Sequence, residues 1–201
     1  MISFVSIAVA VTTVLHQPSI TINKPSSLNN GDLLIAFVGV SQGVPQAAPQ
    51  GWNFLSLSKG TTGSNVWATV YTRWVTGNEP ASWTWALDPS NAGAVGTIIA
   101  YRGVSPYFSQ IDYALSTGAQ TNKLNTNFPV TLVNFFFIDW SPITWYGGEN
   151  QGTIFRANFF SNDNALAVGE YTQTIAGPVD NLVCNASQGQ GITSTLVLLP
   201  K

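Results

Sequence analysis

The chain has 201 residues and a formal net charge of −2, and only 8% of its residues are charged, against about 25% in an average protein. It has no basic stripe with which to neutralise phosphates, which speaks against nucleic-acid binding. Its hydrophobic share of 45% is too high for a disordered protein, and its single cysteine, Cys184, excludes an internal disulfide.

The length fits one domain spanning residues 1–201. A folded monomer of 21.5 kDa exposes about 9,200 Å² and buries enough of its extended surface to form a core without disulfides or metals. Residues 1–15 are apolar and read as a long N-terminal strand or arm. Ile2, Val5, Ile7, Val9, Val11 and Val14 are mostly β-branched and suit a pleated surface. No Lys or Arg precedes Lys24, so the segment lacks the basic start of a signal peptide. No run reaches the roughly 18 apolar residues of a spanning helix, and no membrane is expected.

No helical period of useful length follows. Strand-like runs recur instead, at Ile2–Val14, Ser19–Asn23, Leu33–Val40, Asn65–Val75, Ser82–Leu87, Val95–Tyr101, Ile111–Leu115, Val130–Ile138, Thr153–Phe160, Ala165–Thr172 and Ile192–Leu199. Clusters such as Asn29-Asn30-Gly31-Asp32, Gln42–Gly51 and Gly177–Gly191 read as the breaks between them. Trp83, Trp85 and Leu87 alternate with Ser82, Thr84 and Ala86, which predicts a strand with one buried face. Val66, Ala68, Val70 and Trp74 fall on one side of their strand, and Trp67, Tyr71 and Arg73 on the other. Leu33–Val40 is apolar on both faces, as is Leu132–Ile138 apart from Asn134. Such strands sit in the middle of a packed assembly or under a partner. Many short strands with frequent turns predict an all-β protein, an antiparallel β-sandwich. No internal repeat is evident.

The order Lys24-Pro25, Asn30-Gly31-Asp32-Leu33-Leu34-Ile35-Ala36, Pro49-Gln50-Gly51-Trp52, Gly77-Asn78-Glu79-Pro80-Ala81-Ser82-Trp83-Thr84-Trp85 and Tyr101-Arg102-Gly103-Val104, closing on Leu196–Pro200, resembles the β-sandwich (jelly-roll-like) domains of phage tail and capsid-surface proteins. The likeness covers most of the chain and weakens across Asn134–Arg156. Its motifs are turn and core motifs, which specify a fold better than a function. Their physical readings stand beside it. Asn30-Gly31 supplies the positive φ of a tight turn, and Asp32 is placed to bond backbone N–H groups at the turn exit. Arg102 is expected to pair with one of the few acids rather than with a substrate.

The inventory for catalysis is thin. His16 is the only histidine, and no Gly-x-Ser-x-Gly elbow accompanies it. One His and one Cys cannot hold a zinc ion within a single chain. Asp139, Glu149 and Glu170 are the carboxylates near aromatics that a glycoside hydrolase would use. Most of the remaining acids occupy turn contexts, where Asp bonds backbone. Asn162-Asp163-Asn164 offers hard oxygens but lacks the further ligands of a calcium loop. Trp140, Trp145 and Tyr146 lie close together and form a candidate platform for sugar faces, against the plainer reading that they fill a core or an interface.

These observations, with the resemblance, lead to one expectation: a non-enzymatic phage virion protein, most simply a capsid decoration (cement) protein with no cofactor and no metal. It would stabilise a shell by burying apolar surface against the major capsid protein or other virion subunits. A homotrimer is what the resemblance implies, and the virion surface is the expected location. Ile2, Phe4, Val5 and Ile7 of the N-terminal strand are the expected docking residues, by strand addition to a neighbour. The alternative is a tail or fibre domain binding host-surface glycans through Trp140, Trp145 and Tyr146. A glycoside hydrolase is the distant third.

Overall fold

The computed structural model describes residues 1–12, 15–60, 65–115, 119–120, 124–139, 143–145, 153–161, 164–179, 183–186 and 191–201. Among them are eighteen strands and no helix. The strands of the first half are β1 Ser3–Val11, β2 Ser19–Asn23, β3 Leu33–Ser41, β4 Pro45–Ala47, β5 Asn53–Lys59, β6 Val66–Trp74, β7 Ser82–Leu87 and β8 Gly93–Arg102. Those of the second are β9 Val104–Leu115, β10 Ala119–Gln120, β11 Leu124–Thr126, β12 Val130–Asp139, β13 Ile143–Trp145, β14 Ile154–Ser161, β15 Asn164–Gln173, β16 Gly177–Val179, β17 Val183–Ala186 and β18 Gly191–Pro200. The pairings are antiparallel, as expected for an all-β sandwich.

Two five-stranded sheets form the centre. One has the order β1-β8-β3-β6-β5, the other β14-β15-β12-β18-β9. Side-chain alternation explains how they stack. Leu33, Ile35 and Phe37 of β3 point to a core shared with Val133, Phe135 and Phe137 of β12, Leu166 and Val168 of β15, and Ile192 and Leu196 of β18. The intervening residues Leu34, Ala36, Val38 and Val40 point the opposite way, to a second core. That core is closed by the small sheet β2-β7-β4, through Ile20, Ile22, Trp83, Trp85 and Leu87. The two-sided apolar strand therefore lies beneath a third layer of its own chain and needs no partner to cover it. On the far side of the second large sheet, Val130 and Leu132 pack with Val179 of the β11-β16 pair. The whole chain exposes 8930 Å², close to the about 9,200 Å² of an ordinary monomer of this mass.

The two halves have the same strand order. In the first, β1-β8-β3-β6-β5 faces β2-β7-β4; in the second, β9-β18-β12-β15-β14 is accompanied by β10-β17-β13. The ten-residue strands β8 and β18 begin 98 positions apart, at Gly93 and Gly191. The bulges recur as well, between Phe54 and Ser56 in β5 and between Phe155 and Ala157 in β14. The contacts between halves are reciprocal: β1 meets β14 as β9 meets β5, and β8 meets β15 as β18 meets β6. This is the isologous pattern of a two-fold dimer, realised within one chain. Phe37 and Phe135 occupy matching positions and stack on each other, with ring centroids 5.2 Å apart and planes within 4°. The next inward pair, Gly39 and Phe137, is complementary in size, the ring lying over the glycine.

The expectation of no internal repeat is thus corrected at the level of topology. The strand boundaries need smaller corrections. β1 ends at Val11 rather than Val14, residues 13–14 lying outside the described ones. β4 falls within the expected loop Gln42–Gly51, and β16 and β17 within the expected break Gly177–Gly191. β5 has no counterpart among the expected strands, because the bulge at Leu55 breaks its two-residue period.

Candidate functional site

Ion pairs engage Arg102, Asp32 and Glu170 among the charged side chains that the sequence singled out. Arg102 makes two bonds to Asp32, Nε to Oδ1 at 2.9 Å and Nη2 to Oδ2 at 2.8 Å. The Asn29 N–H donates to the same carboxylate at 2.8 Å, and Gly31 turns the chain with φ +85°. Burial acts to raise the Asp32 pKa, but the Arg102 and Asn29 hydrogen bonds outweigh it and hold the group below the usual carboxylate range. This is the structural pairing expected for Arg102.

Glu170 is similarly engaged. Arg156 donates to both of its oxygens, at 2.9 and 3.0 Å, and the Tyr101 hydroxyl donates at 2.8 Å. The Arg156 guanidinium lies 4.0 Å from the centre of the Phe4 ring. Arg156 is the extra residue of the β14 bulge, which turns it into the space between the large sheets. Burial first, then the Glu170 carboxylate, pushes the Tyr101 phenol well above its ordinary value. The cluster joins β1 and β8 of one sheet to β14 and β15 of the other. It holds one of the three carboxylates expected of a hydrolase in a fixed pair. Glu149 lies outside the described residues, and Asp139 ends β12 beside Asn164 of β15. Asn164 itself accepts a hydrogen bond from Ser41 Oγ, while Asn162 and Asp163 lie outside the described residues. Among the described residues no group of three or more His, Cys, Asp or Glu side chains is placed to hold a metal ion.

The four expected docking residues of the N-terminal strand are half-buried, packed against the chain's own cores. Ile2, Phe4 and Ile7 pack on the core between the large sheets, and Val5 packs on the second core. β1 pairs with β8 and is an edge strand. Thr12 N donates to Ala94 O, which sets the parity of the ladder. From Ser6 to Val11 the register is unbroken, so Ser6, Ala8 and Ala10 bond to β8 while Ile7, Val9 and Val11 turn their N–H and C=O groups outward. Among the described residues no strand pairs with that edge. Beside it runs β14, the edge of the other large sheet, with Ile154, Phe155 and Phe160 exposed. Of the expected aromatic platform, Trp140 and Tyr146 lie outside the described residues. Trp145 is the last residue of β13, opposite Cys184.

One cleft was not foreseen. An open hollow of about 570 Å³ is lined by Pro49, Gln50 and Gly51 of the β4–β5 loop, Arg73 of β6, Pro80, and Ser82, Trp83 and Thr84 of β7. Trp83, the aromatic residue of the lining, stands edge-on to Trp52 behind it with centroids 5.3 Å apart, and Arg73 lies 5.8 Å from the Trp83 ring. Arg73 Nη1 donates to Gln50 O at 3.1 Å, and Nη2 is 3.7 Å from Glu79. Gly51, at φ +85°, allows that approach, since a Cβ there would overlap Nη1. Glu79 is already held by its own turn, accepting from Thr76 N, Thr76 Oγ1 and Gly77 N at 2.8 to 3.0 Å.

No protein-family model, no curated protein and no solved structure matches this chain.

Proposed function

We propose that the protein is a structural subunit that works by docking onto neighbours. In the setting implied by the resemblance, it is a phage virion protein, most simply a decoration protein on the capsid. The antiparallel sheets β1-β8-β3-β6-β5 and β2-β7-β4 support the β-sandwich part of that resemblance, and we read them as jelly-roll-like. The observation that carries the proposal is the open flank formed by β1 and β14. Apolar composition no longer does so, because the chain covers its own two-sided strands. The side chains of Ile2, Phe4, Val5 and Ile7 are half-buried against the chain's own cores, so what β1 chiefly offers a neighbour is backbone. Its outward N–H and C=O groups at Ile7, Val9 and Val11 lie on a strand without charge or proline, the kind of edge that another strand extends. Exposed Ile154, paired with the inward-facing Glu170, adds apolar area beside it, while exposed Phe155 and Phe160 lie on the outer face of that sheet. The ion pairs of Glu170 and Asp32 give a further reason to read the chain as non-catalytic: their donors are committed to holding sheets and turns together.

The test is Val9→Pro. Proline removes an outward N–H while leaving the β8 ladder intact, and edge strands tolerate it. Sedimentation of the native chain should show a self-associated species, a trimer on the reading above, and co-sedimentation with shells lacking the protein should show saturable binding. Val9→Pro should lose both while keeping its melting temperature within a few degrees. A native chain that stays monomeric and binds no shell overturns the proposal.

A further inference from the structure

We infer that the Arg73–Trp83 cleft is a receptor for a short extended peptide that presents a carboxylate. The inference is independent of the edge of β1, which lies on another sheet. It begins with the unequal pairing of β7. On one side, β2 covers β7 along its length, Ser19 to Ala86 through Asn23 to Ser82. On the other, β4 pairs only with its end, at Leu87 and Ala86. The parity of the ladder says which groups this leaves over. Lys24 N donates to Ala81 O and Leu87 N donates to Pro18 O, so the odd-numbered residues of β7 bond to β2. The N–H and C=O groups of Ser82 and Thr84 therefore turn the other way, and these two residues line the cleft. Among the described residues no backbone group bonds to them there. Four strand-type hydrogen-bonding groups thus face an open hollow, at the spacing that one extended segment matches.

The rest of the cleft suits such a segment. Pro49, Pro80 and Trp83 give apolar walls for a side chain, the arrangement that fixes alternate residues of an added strand. Arg73 stands at one end. Among the described residues its guanidinium makes a single hydrogen bond, to Gln50 O, and its buried Nε has no partner. Glu79, the acid nearest to it, is satisfied by its own turn. A carboxylate is the group that an under-satisfied guanidinium binds best. Sugar hydroxyls would use the hydroxyls of Ser82 and Thr84 but would leave the strand-type spacing of their backbone groups unexplained, so the peptide is the occupant the geometry favours.

The experiment is an amide-resolved NMR titration of the full chain with a pool of random pentapeptides free of Asp and Glu and carrying C-terminal carboxylates. The same pool, amidated, and D-glucuronate are titrated in parallel. The free-carboxylate pool should shift the Ser82 and Thr84 amide resonances below about 1 mM, and the amidated pool should need at least ~10-fold more, the loss of one charge-assisted contact. Arg73→Gln should bring the free-carboxylate pool to the level of the amidated one. Thr84→Pro removes a cleft-facing N–H and spares the backbone ladder to β2, though not the hydroxyl bond to Thr21, so it should abolish the Ser82 response with the Trp emission spectrum unchanged. If Thr84→Pro does not fold, the Arg73→Gln comparison decides alone. Absence of shifts at Ser82 and Thr84 overturns the inference, as does equal affinity for the two pools. A response to D-glucuronate without one to the peptides overturns it too, and assigns the cleft to sugars.

Discussion

Replacing Gly39 by Ala tests the contact between the halves through the sign of its effect. A Cβ at Gly39 would lie 2.5 Å from Cγ of Phe137 and within 2.8 Å of both Cδ atoms. Carbon atoms rest at about 3.5–4.0 Å, so the ring must retreat by about 1 Å. It has little room to do so. Phe137 is fully buried, Cγ is the root of the ring, and Phe37 and Phe135 are stacked in the same core. Overpacking of this kind costs about 1–3 kcal/mol. With no clash, the same substitution would stabilise the protein by about 0.4–1 kcal/mol, because alanine has less unfolded-state freedom to lose than glycine. The expected net result is a loss of about 1–2 kcal/mol, or roughly 2–8 °C in melting temperature for a chain of this size. Urea titration followed by Trp fluorescence measures it. Phe137→Leu in the Gly39→Ala background should recover part of the loss, so the double-mutant cycle should show coupling of at least about 0.5 kcal/mol. A Gly39→Ala protein as stable as the parent, or more so, refutes the packing of the halves described here.

Glu170→Gln leaves Arg156 between the sheets without its counter-charge and should destabilise by about 2–4 kcal/mol, somewhat below a fully buried pair because Arg156 keeps partial solvent contact; chemical denaturation checks it. The same variant should leave any binding at the Arg73 cleft unchanged, which separates a structural role from a ligand role. Asp32 has a folded-state pKa below its unfolded one, so its stabilising contribution is complete above the unfolded value of about 3.9 and is lost as the pH falls through the folded value. Asp32→Asn should therefore lower stability at neutral pH and flatten the acid limb of the stability profile. Tyr101 has the opposite displacement, so its contribution is complete below the unfolded value of about 10 and is lost as the pH rises toward the folded value. Spectrophotometric titration should show a tyrosine that ionises only as the protein unfolds, and Tyr101→Phe should remove that signal.

Much of the fold was legible because its strands obey a two-residue period between turn residues. Ser19–Asn23 and Ser82–Leu87 have the boundaries expected of them, and the sorting of Val66, Ala68 and Val70 from Tyr71 and Arg73 is the division between the two cores. The two-sided character of Leu33–Val40 was visible too, but composition alone could not say that the chain would supply its own third layer. The repeat was hidden because similar pairs such as Phe37 and Phe135 are interspersed with unlike ones. Gly39 faces Phe137, and the bulge residue Leu55 corresponds to Arg156, an aliphatic core contact in one half and a half-buried cation in the other. The cleft was illegible for another reason. Arg73, Ser82 and Gln50 come from three separate segments, and its main signal is the missing half of a ladder, which belongs to pairing and leaves no mark on residue type.

Gly103 is all that separates β8 from β9, and so one matching half from the other. It adopts φ +76°, and a Cβ there would overlap the Met1 carbonyl oxygen. A one-residue tether of this kind replaces a bimolecular encounter by a local one, at the high effective concentration of a short linker. Dilution that would part a true dimer cannot part these halves. A proteolytic nick at this joint would restore the concentration dependence, leaving two fragments whose stacked Phe37 and Phe135 hold together only by mass action.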